Sequence, residues 1–257
     1  MIRKLGIVLA AAVAAGSLLM PARAATIHVD LELALVVDVS GSVDSTEFAL
    51  QQTGYANAFK SASVQNDIAQ LQNGAAVALI YFDQGQYIGV NWTLLQTGAD
   101  SFAFGNAIAA AARPGSGNTG VGDAITYAKN QILGNNYTGG REVIDVSGDG
   151  STNVGSDAAT ARNAALAAGV AQINGLPILG SEANLDTWYA ANVQGGSGSF
   201  TIAASGFSTF QSAVQTKIEA EITGTNPTVP LPAAVWGGLA MLAGAAGMSR
   251  FSKRKFA

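Results

Sequence analysis

Leu31-Glu32-Leu33-Ala34-Leu35-Val36-Val37-Asp38-Val39-Ser40-Gly41-Ser42 is the stretch that decides the fold. From Leu31 to Val37 it is almost continuously apolar, as expected of a strand buried on both faces, and it ends on an acid followed by two serines. Such a strand belongs at the centre of a sheet that has helices above and below it.

Working outward, Asp44 with Glu47 three residues later forms a capping-box start. Phe48, Tyr55 and Phe59, with Ala49 and Ala56, then recur at helical spacing up to about Ala62. Ala75 to Phe82 and Tyr87 to Trp92 read as further strands. Phe102 to Ala112 and Val121 to Leu133 read as helices separated by the loop Pro114-Gly115-Ser116-Gly117. Beyond them the expected order is strand Glu142 to Val146, helix Asp157 to Ala168, strand Val170 to Leu179, helix Leu185 to Val193, strand Phe200 to Ala204 and helix Phe207 to Ile222. Gly195 to Ser199 is a turn. Parallel strands need crossover connections, which usually contain helices. The alternation therefore predicts a doubly wound α/β domain over residues 25–224, a mostly parallel sheet flanked by helices.

The 257 residues suit one sizeable domain, and the lack of cysteine excludes a disulfide framework. Hydrophobic residues make up 49% and charged residues 12%, which excludes a disordered acidic tail or a coiled coil. Between Ala25 and Pro232 there are 6 basic and 17 acidic residues. A segment so acidic repels phosphate backbones, so nucleic acid is not an expected partner.

The two ends read as addresses. Arg3 and Lys4 precede an apolar run from Leu5 to Met20 and the small-residue site Ala22-Arg23-Ala24, the pattern of a secretory signal peptide over residues 1–24; an uncleaved anchor is the alternative. After Pro230 and Pro232, Ala233 to Met248 carries no charge, and Arg250, Lys253, Arg254 and Lys255 follow. As a helix this span, about residues 233–249, is roughly 24–27 Å long, near the lower limit for crossing a bilayer, with its basic end cytoplasmic. The order of Val229-Pro230-Leu231-Pro232-Ala233, apolar span and basic tail resembles the VPLPA variant of PEP-CTERM sorting signals. That resemblance implies exosortase-like processing, transient tethering to the inner membrane by the C-terminal helix, and delivery to the cell surface or beyond. An ordinary membrane anchor is the alternative.

Three polar groups fall where strands give way to loops: Asp38-Val39-Ser40-Gly41-Ser42, Gly117-Asn118-Thr119-Gly120 and Ser147-Gly148-Asp149-Gly150. Ligands of open α/β sheets bind at such strand ends. The donors are hard oxygens and the one histidine, His28, lies near the start of the domain, so Mg²⁺, with Mn²⁺ or Ca²⁺ possible, fits better than Zn²⁺ or Cu²⁺. Taken alone, Asp38-x-Ser-x-Ser is also compatible with a helix cap or turn.

Asp38, Ser40, Ser42, Thr119 and Asp149, in that order, resemble the metal-ion-dependent adhesion site of von Willebrand factor A domains. The resemblance implies metal ligation by the Ser and Thr hydroxyls, with the two Asp acting largely through water. A carboxylate from a protein or surface polymer would take an open position, in adhesion rather than catalysis. Val143 to Gly150, Ile173-Asn174-Gly175-Leu176 and Lys217 to Ile222 look like a bacterial, functionally uncharacterised branch of that superfamily, with similarity over about Ile27 to Thr223.

Asp145, inside an apolar strand, needs a partner. A hydrogen bond to a neighbouring loop is expected ahead of a metal role. Gly150 to Asp157 fails as an EF-hand, since Val154 replaces the turn glycine and Thr160 stands where the bidentate Glu belongs. A magnesium-dependent phosphoryl transfer through Asp38 is a weaker alternative, because Ser40 occupies the position where haloacid-dehalogenase-like enzymes carry a second Asp. A serine hydrolase would need His28 as base from an unsuitable place. A structural matrix protein without metal is the third class.

Overall fold

The computed structural model describes residues 25–227. The expected signal peptide, 1–24, and C-terminal span, 233–249, lie outside the described residues. Among the described residues, no helix is long and apolar enough to cross a membrane.

The chain forms β1 (Ile27–Val29), β2 (Leu31–Asp38), α1 (Ser45–Lys60), α2 (Ala62–Gln70), β3 (Ala75–Phe82), β4 (Gln86–Leu95), α3 (Gly98–Ala110) and α4 (Val121–Gly134). There follow β5 (Tyr137–Gly139), β6 (Glu142–Gly148), α5 (Ala158–Ala167), β7 (Gln172–Pro177), α6 (Leu185–Asn192) and, after a single 3₁₀ turn, α7 (Phe210–Thr223). Five strands make one sheet in the order β4-β3-β2-β6-β7, parallel except for the edge strand β4, while β1 and β5 pair separately in parallel. The expected α/β class is the observed one.

β2 is buried along its whole length because both faces are covered. Leu31, Leu33, Leu35 and Val37 pack in one core with Tyr55, Phe59, Phe104, Phe210 and Ile218 from α1, α3 and α7. Ala34 and Val36 join the opposite core with Ile125, Ala128, Ala161 and Tyr189 from α4, α5 and α6. Alternation along one strand thus feeds two apolar layers. Burying a Leu or Phe side chain in either is worth about 1.5–3 kcal/mol.

The chain runs from β2 outward to β3 and β4, then returns to β6 on the other side of β2 and continues to β7. The order therefore reverses between β2 and β6, and the carboxyl ends of strands at such a reversal are where ligands of open α/β sheets bind.

Local chemistry accounts for the boundaries. Asp44 Oδ1 accepts from the amides of Thr46 at 2.7 Å and Glu47 at 2.8 Å, and Glu47 Oε2 accepts from the Asp44 amide at 2.8 Å, so α1 starts on a complete capping box. Ser61 ends α1 in an extended conformation and caps a further helix, α2, that the spacing did not reveal. Phe200 to Ala204, expected as a strand, makes only isolated bridges to Gly175 and Ile178. Pro177 has no amide hydrogen, and the Phe200 amide donates instead to Asn174 Oδ1 at 3.0 Å, so a continuous ladder cannot form.

Candidate functional site

Asp38, the last residue of β2, is fully buried. Its Oδ1 accepts from the Ser40 amide at 2.7 Å, a bond that turns the chain out of the strand. The turn brings Ser40 and Ser42 together with their hydroxyl oxygens 3.1 Å apart. Thr119 donates to Ser40 Oγ at 3.2 Å, and Ser42 donates to Asp149 Oδ1 at 2.7 Å. Three loops thus bring all five residues singled out in the sequence into one contiguous set of oxygens. Asp38, Ser40, Thr119 and Asp149 are buried, while Ser42 is exposed and opens the set to solvent.

Further residues, absent from the sequence reading, hold the loops in place. Arg113 donates from Nη2 to the carbonyls of Val39 at 2.9 Å, Ser40 at 3.0 Å and Val43 at 2.7 Å, and from Nε to that of Gly115 at 2.9 Å. One planar guanidinium therefore ties the serine loop to the glycine-rich loop. Asp83, buried just past the end of β3, accepts from the Gly117 amide at 2.7 Å and the Gly85 amide at 2.7 Å. The Thr119 amide donates to Asn153 Oδ1 at 2.8 Å. A fourth loop, after β7, adds Ser181, which donates to Asp149 Oδ2 at 3.0 Å, and Glu182, which accepts from the Ser151 amide at 2.7 Å. Asp83 follows an apolar run as Asp38 does, and that likeness was a readable signal; the Arg113 clamp on carbonyls has none.

The electrostatics favour a cation. Burial first, then the nearby carboxylates of Asp149 and Asp83, push the Asp38 carboxyl up from 3.8 to about 7, against the bonds from Ser40. Asp38 Oδ2 and Tyr189 Oη are buried without hydrogen-bond partners among the described residues. Both face Gly148, where an added Cβ would lie 2.7 Å from each. Only glycine leaves room for them. Among the described residues, no three His, Cys, Asp or Glu side chains converge to hold a metal ion, so any ion here must be held largely by hydroxyls. A buried acid with a free oxygen, beside three hydroxyls and a second carboxylate, is a donor set that fits a hard divalent cation.

Asp145 is not bonded to a loop, as expected from sequence, but to a helix. Its Oδ1 meets Lys217 Nζ of α7 at 2.5 Å, an ion pair rather than an aligned hydrogen bond, and the Tyr55 hydroxyl of α1 lies 3.4 Å from its Oδ2.

Residues 28–226 match the model of a family described as "Protein of unknown function (DUF1194)". The chain belongs to that family. No curated protein matches it by sequence. This DUF1194 chain is similar in fold to several solved structures. The proximal thread matrix protein 1 of the mussel byssus superimposes with a TM-score of 0.57 at 16% identity, over 77% of this chain and 47% of that one. The same mussel protein has been solved with a zinc-occupied MIDAS motif. The pilus adhesin SpaC from Lactobacillus rhamnosus GG gives 0.57 at 16% identity, over 76% and 31%. The von Willebrand factor type A protein from Catenulispora acidiphila gives 0.53 at 14% identity, over 76% and 43%. The DUF1194 chain spans less than half the length of these three. At such identities the likeness is one of fold.

Proposed function

We propose that this protein is an exported, cell-envelope-associated binding domain that holds a divalent cation at Asp38, Ser40, Ser42, Thr119 and Asp149 and takes an acidic group of a protein or surface polymer through it. The observation that carries this reading is the convergence, from separate loops, of three hydroxyls and the two buried carboxylates of Asp38 and Asp149 into one hydrogen-bonded set. Hydroxyls contribute no charge, so a 2+ ion among them stays electrophilic toward an incoming carboxylate. Oxygen donors rank Mg²⁺, Mn²⁺ and Ca²⁺ ahead of Zn²⁺ by hardness, and the zinc-occupied motif of the mussel protein makes Zn²⁺ a necessary comparison. That similar folds occur in a pilus adhesin and a byssal matrix protein supports binding over catalysis and a place outside the cytoplasm. The terminal segments extend the proposal to a signal peptide, sorting by exosortase-like machinery, and tethering by the C-terminal helix.

An ion that binds only the native state raises its stability, by about 2.7 kcal/mol at a hundredfold excess over Kd. Thermal melts in Mg²⁺, Mn²⁺, Ca²⁺, Zn²⁺ and chelator read this directly, and Thr119→Ala should remove the response while leaving the circular dichroism spectrum unchanged. A melting temperature indifferent to every ion refutes the metal. Capture of a carboxylate-bearing polymer that persists in chelator refutes the bridging role.

A further inference from the structure

A second polar cluster lies in the core between β6 and α7, and the proposed function makes no use of it. Lys217, Asp145 and Glu221 are all buried, at 0%, 0% and 1% exposure. Lys217 Nζ contacts both Asp145 Oδ1, at 2.5 Å, and Glu221 Oε1. Asn174 Nδ2 donates to Glu221 Oε1 at 2.9 Å, which fixes the Glu221 carboxyl beside the amine. The Phe200 ring centroid lies 5.7 Å from Lys217 Nζ. Arg141, whose charge also acts on Glu221, has its Nη2 engaged by the main-chain carbonyls of Glu221 and Ile222.

Two carboxylates and one ammonium in a dry core carry a surplus negative charge, which is costly to keep. Burial pushes both carboxyls up, so protonated forms are within reach. An amine and a carboxyl in contact, borne by a strand and a helix whose Val143, Ile218 and Ile222 share one core, are of the kind whose effective molarity reaches the order of 10⁵–10⁸ M when well oriented.

We propose that Lys217 and Asp145 condense to an intramolecular amide, with Glu221 carrying the proton. The Lys217 nitrogen, once neutral, attacks Asp145 Cγ, so that a C–N bond forms and a C–O bond breaks. The ammonium gives up two protons: one passes to the Asp145 carboxylate, the other by way of Glu221 to the same departing oxygen, which leaves as water. Glu221 ends as it began, and no oxidant or co-reactant is consumed. The Tyr55 hydroxyl, 3.4 Å from Asp145 Oδ2, is placed to donate to the oxygen that becomes negative during attack. The product replaces a buried ion pair with a neutral amide and staples β6 to α7 in a chain that has no cysteine.

Tryptic mapping of the full purified chain tests this. Cleavage after Arg141 and Arg162 isolates Glu142 to Arg162, which contains Asp145. The expected result is that peptide joined to the one holding Lys217, one water lighter than the sum of the two, with no cleavage after Lys217. A free Glu142–Arg162 peptide and cleavage after Lys217, from protein shown to be folded, overturn the proposal. Lys217→Arg serves as the unjoined standard. Glu221→Gln should slow joining after synthesis by roughly 10²-fold or more, the usual worth of a positioned acid or base. Joining at the wild-type rate in that variant overturns the role of Glu221. The wild-type map decides the bond even where a variant does not fold.

Discussion

Replacing Gly148 with alanine tests the geometry of the site more sharply than removing a donor, because it adds one carbon and no charge. The new Cβ would stand 2.7 Å from both Asp38 Oδ2 and Tyr189 Oη, and 3.0 Å from Asp38 Cβ. These distances are well inside van der Waals contact, and Asp38 sits at the end of a central strand, so the carboxylate must rotate or β2 and β6 must part. Overpacking of this kind costs about 1–3 kcal/mol. For a domain of this size each kcal/mol shifts the melting temperature by about 2–4 °C, so Gly148→Ala should melt about 2–12 °C lower in chelator. The ion response should shrink as well. Saturation of the wild type at a hundredfold excess of Mg²⁺ corresponds to about 5–11 °C, and a displaced Asp38 should leave less than about half of that. Gly134→Ala is the control, since nothing lies within 4 Å of a Cβ there, and its melt should be unchanged or slightly higher. Fluorescence-monitored melts of the three proteins with and without Mg²⁺ suffice. Should Gly148→Ala match the wild type in both melts, the crowding of Asp38 against Tyr189, and the site built on it, is refuted.

Two other perturbations follow from the contacts. Arg113→Ala leaves the carbonyls of Val39, Ser40, Val43 and Gly115 without their shared donor and should cost about 1.5–3 kcal/mol, with faster proteolysis between Arg113 and Gly120; a urea melt equal to wild type contradicts the clamp. Burial first, then the Asp145 carboxylate, raises the Glu221 carboxyl from 4.5 to about 7, against Lys217 and Asn174. The stability tied to its proton is therefore fully present below about pH 4.5 and is lost as pH rises through about 7. Glu221→Gln should remove that part of the decline, and joining Lys217 to Asp145 leaves its direction unchanged because burial alone still disfavours the charge. Urea melts across pH 4 to 8 with the same slope in both proteins would contradict it.

Much of this was legible from periodicity, and the failures have physical causes. Leu31 to Val37 and Ala75 to Phe82 read as buried strands because both faces of β2 and β3 meet apolar layers, which leaves no polar alternation to interrupt the run. β1 and β5 went unseen because each is three residues long and exists only through pairing with the other. The helix after Lys60 was missed because Ser61 closes one helix and opens the next without a glycine or proline to mark it. Phe200 to Ala204 has strand composition, but the missing amide of Pro177 is a property of its neighbour. In the site, loop residues whose type limits their chemistry were found, and Asp83 carried a signal in the apolar run before it that went unread, whereas Arg113 and Ser181 act on groups that only the folded chain brings near. Asp145 announced a need for a partner, but no local rule connects it to Lys217.

The charge inventory bears on the proposed cation. The described residues hold 17 acidic and 6 basic side chains. Four of the six basic groups are committed internally. Arg113 holds the site loops, Arg141 the end of α7, Arg162 the carbonyls of Ala191 and Gln194, and Lys217 the buried acids. That leaves Lys60, stacked 5.8 Å from the Phe102 ring centroid, and Lys129, too few to form a basic patch. Among the described residues, a carboxylate-bearing partner would therefore meet a repulsive field and no uncommitted guanidinium to receive it. A divalent ion reverses the local sign at the site, and the same acidic field that repels the partner concentrates the ion. Under the proposed function, such a mediator is what reconciles an acidic ligand with an acidic domain. If binding survived complete removal of divalent ions, the partner's chemistry would have to be something other than a carboxylate.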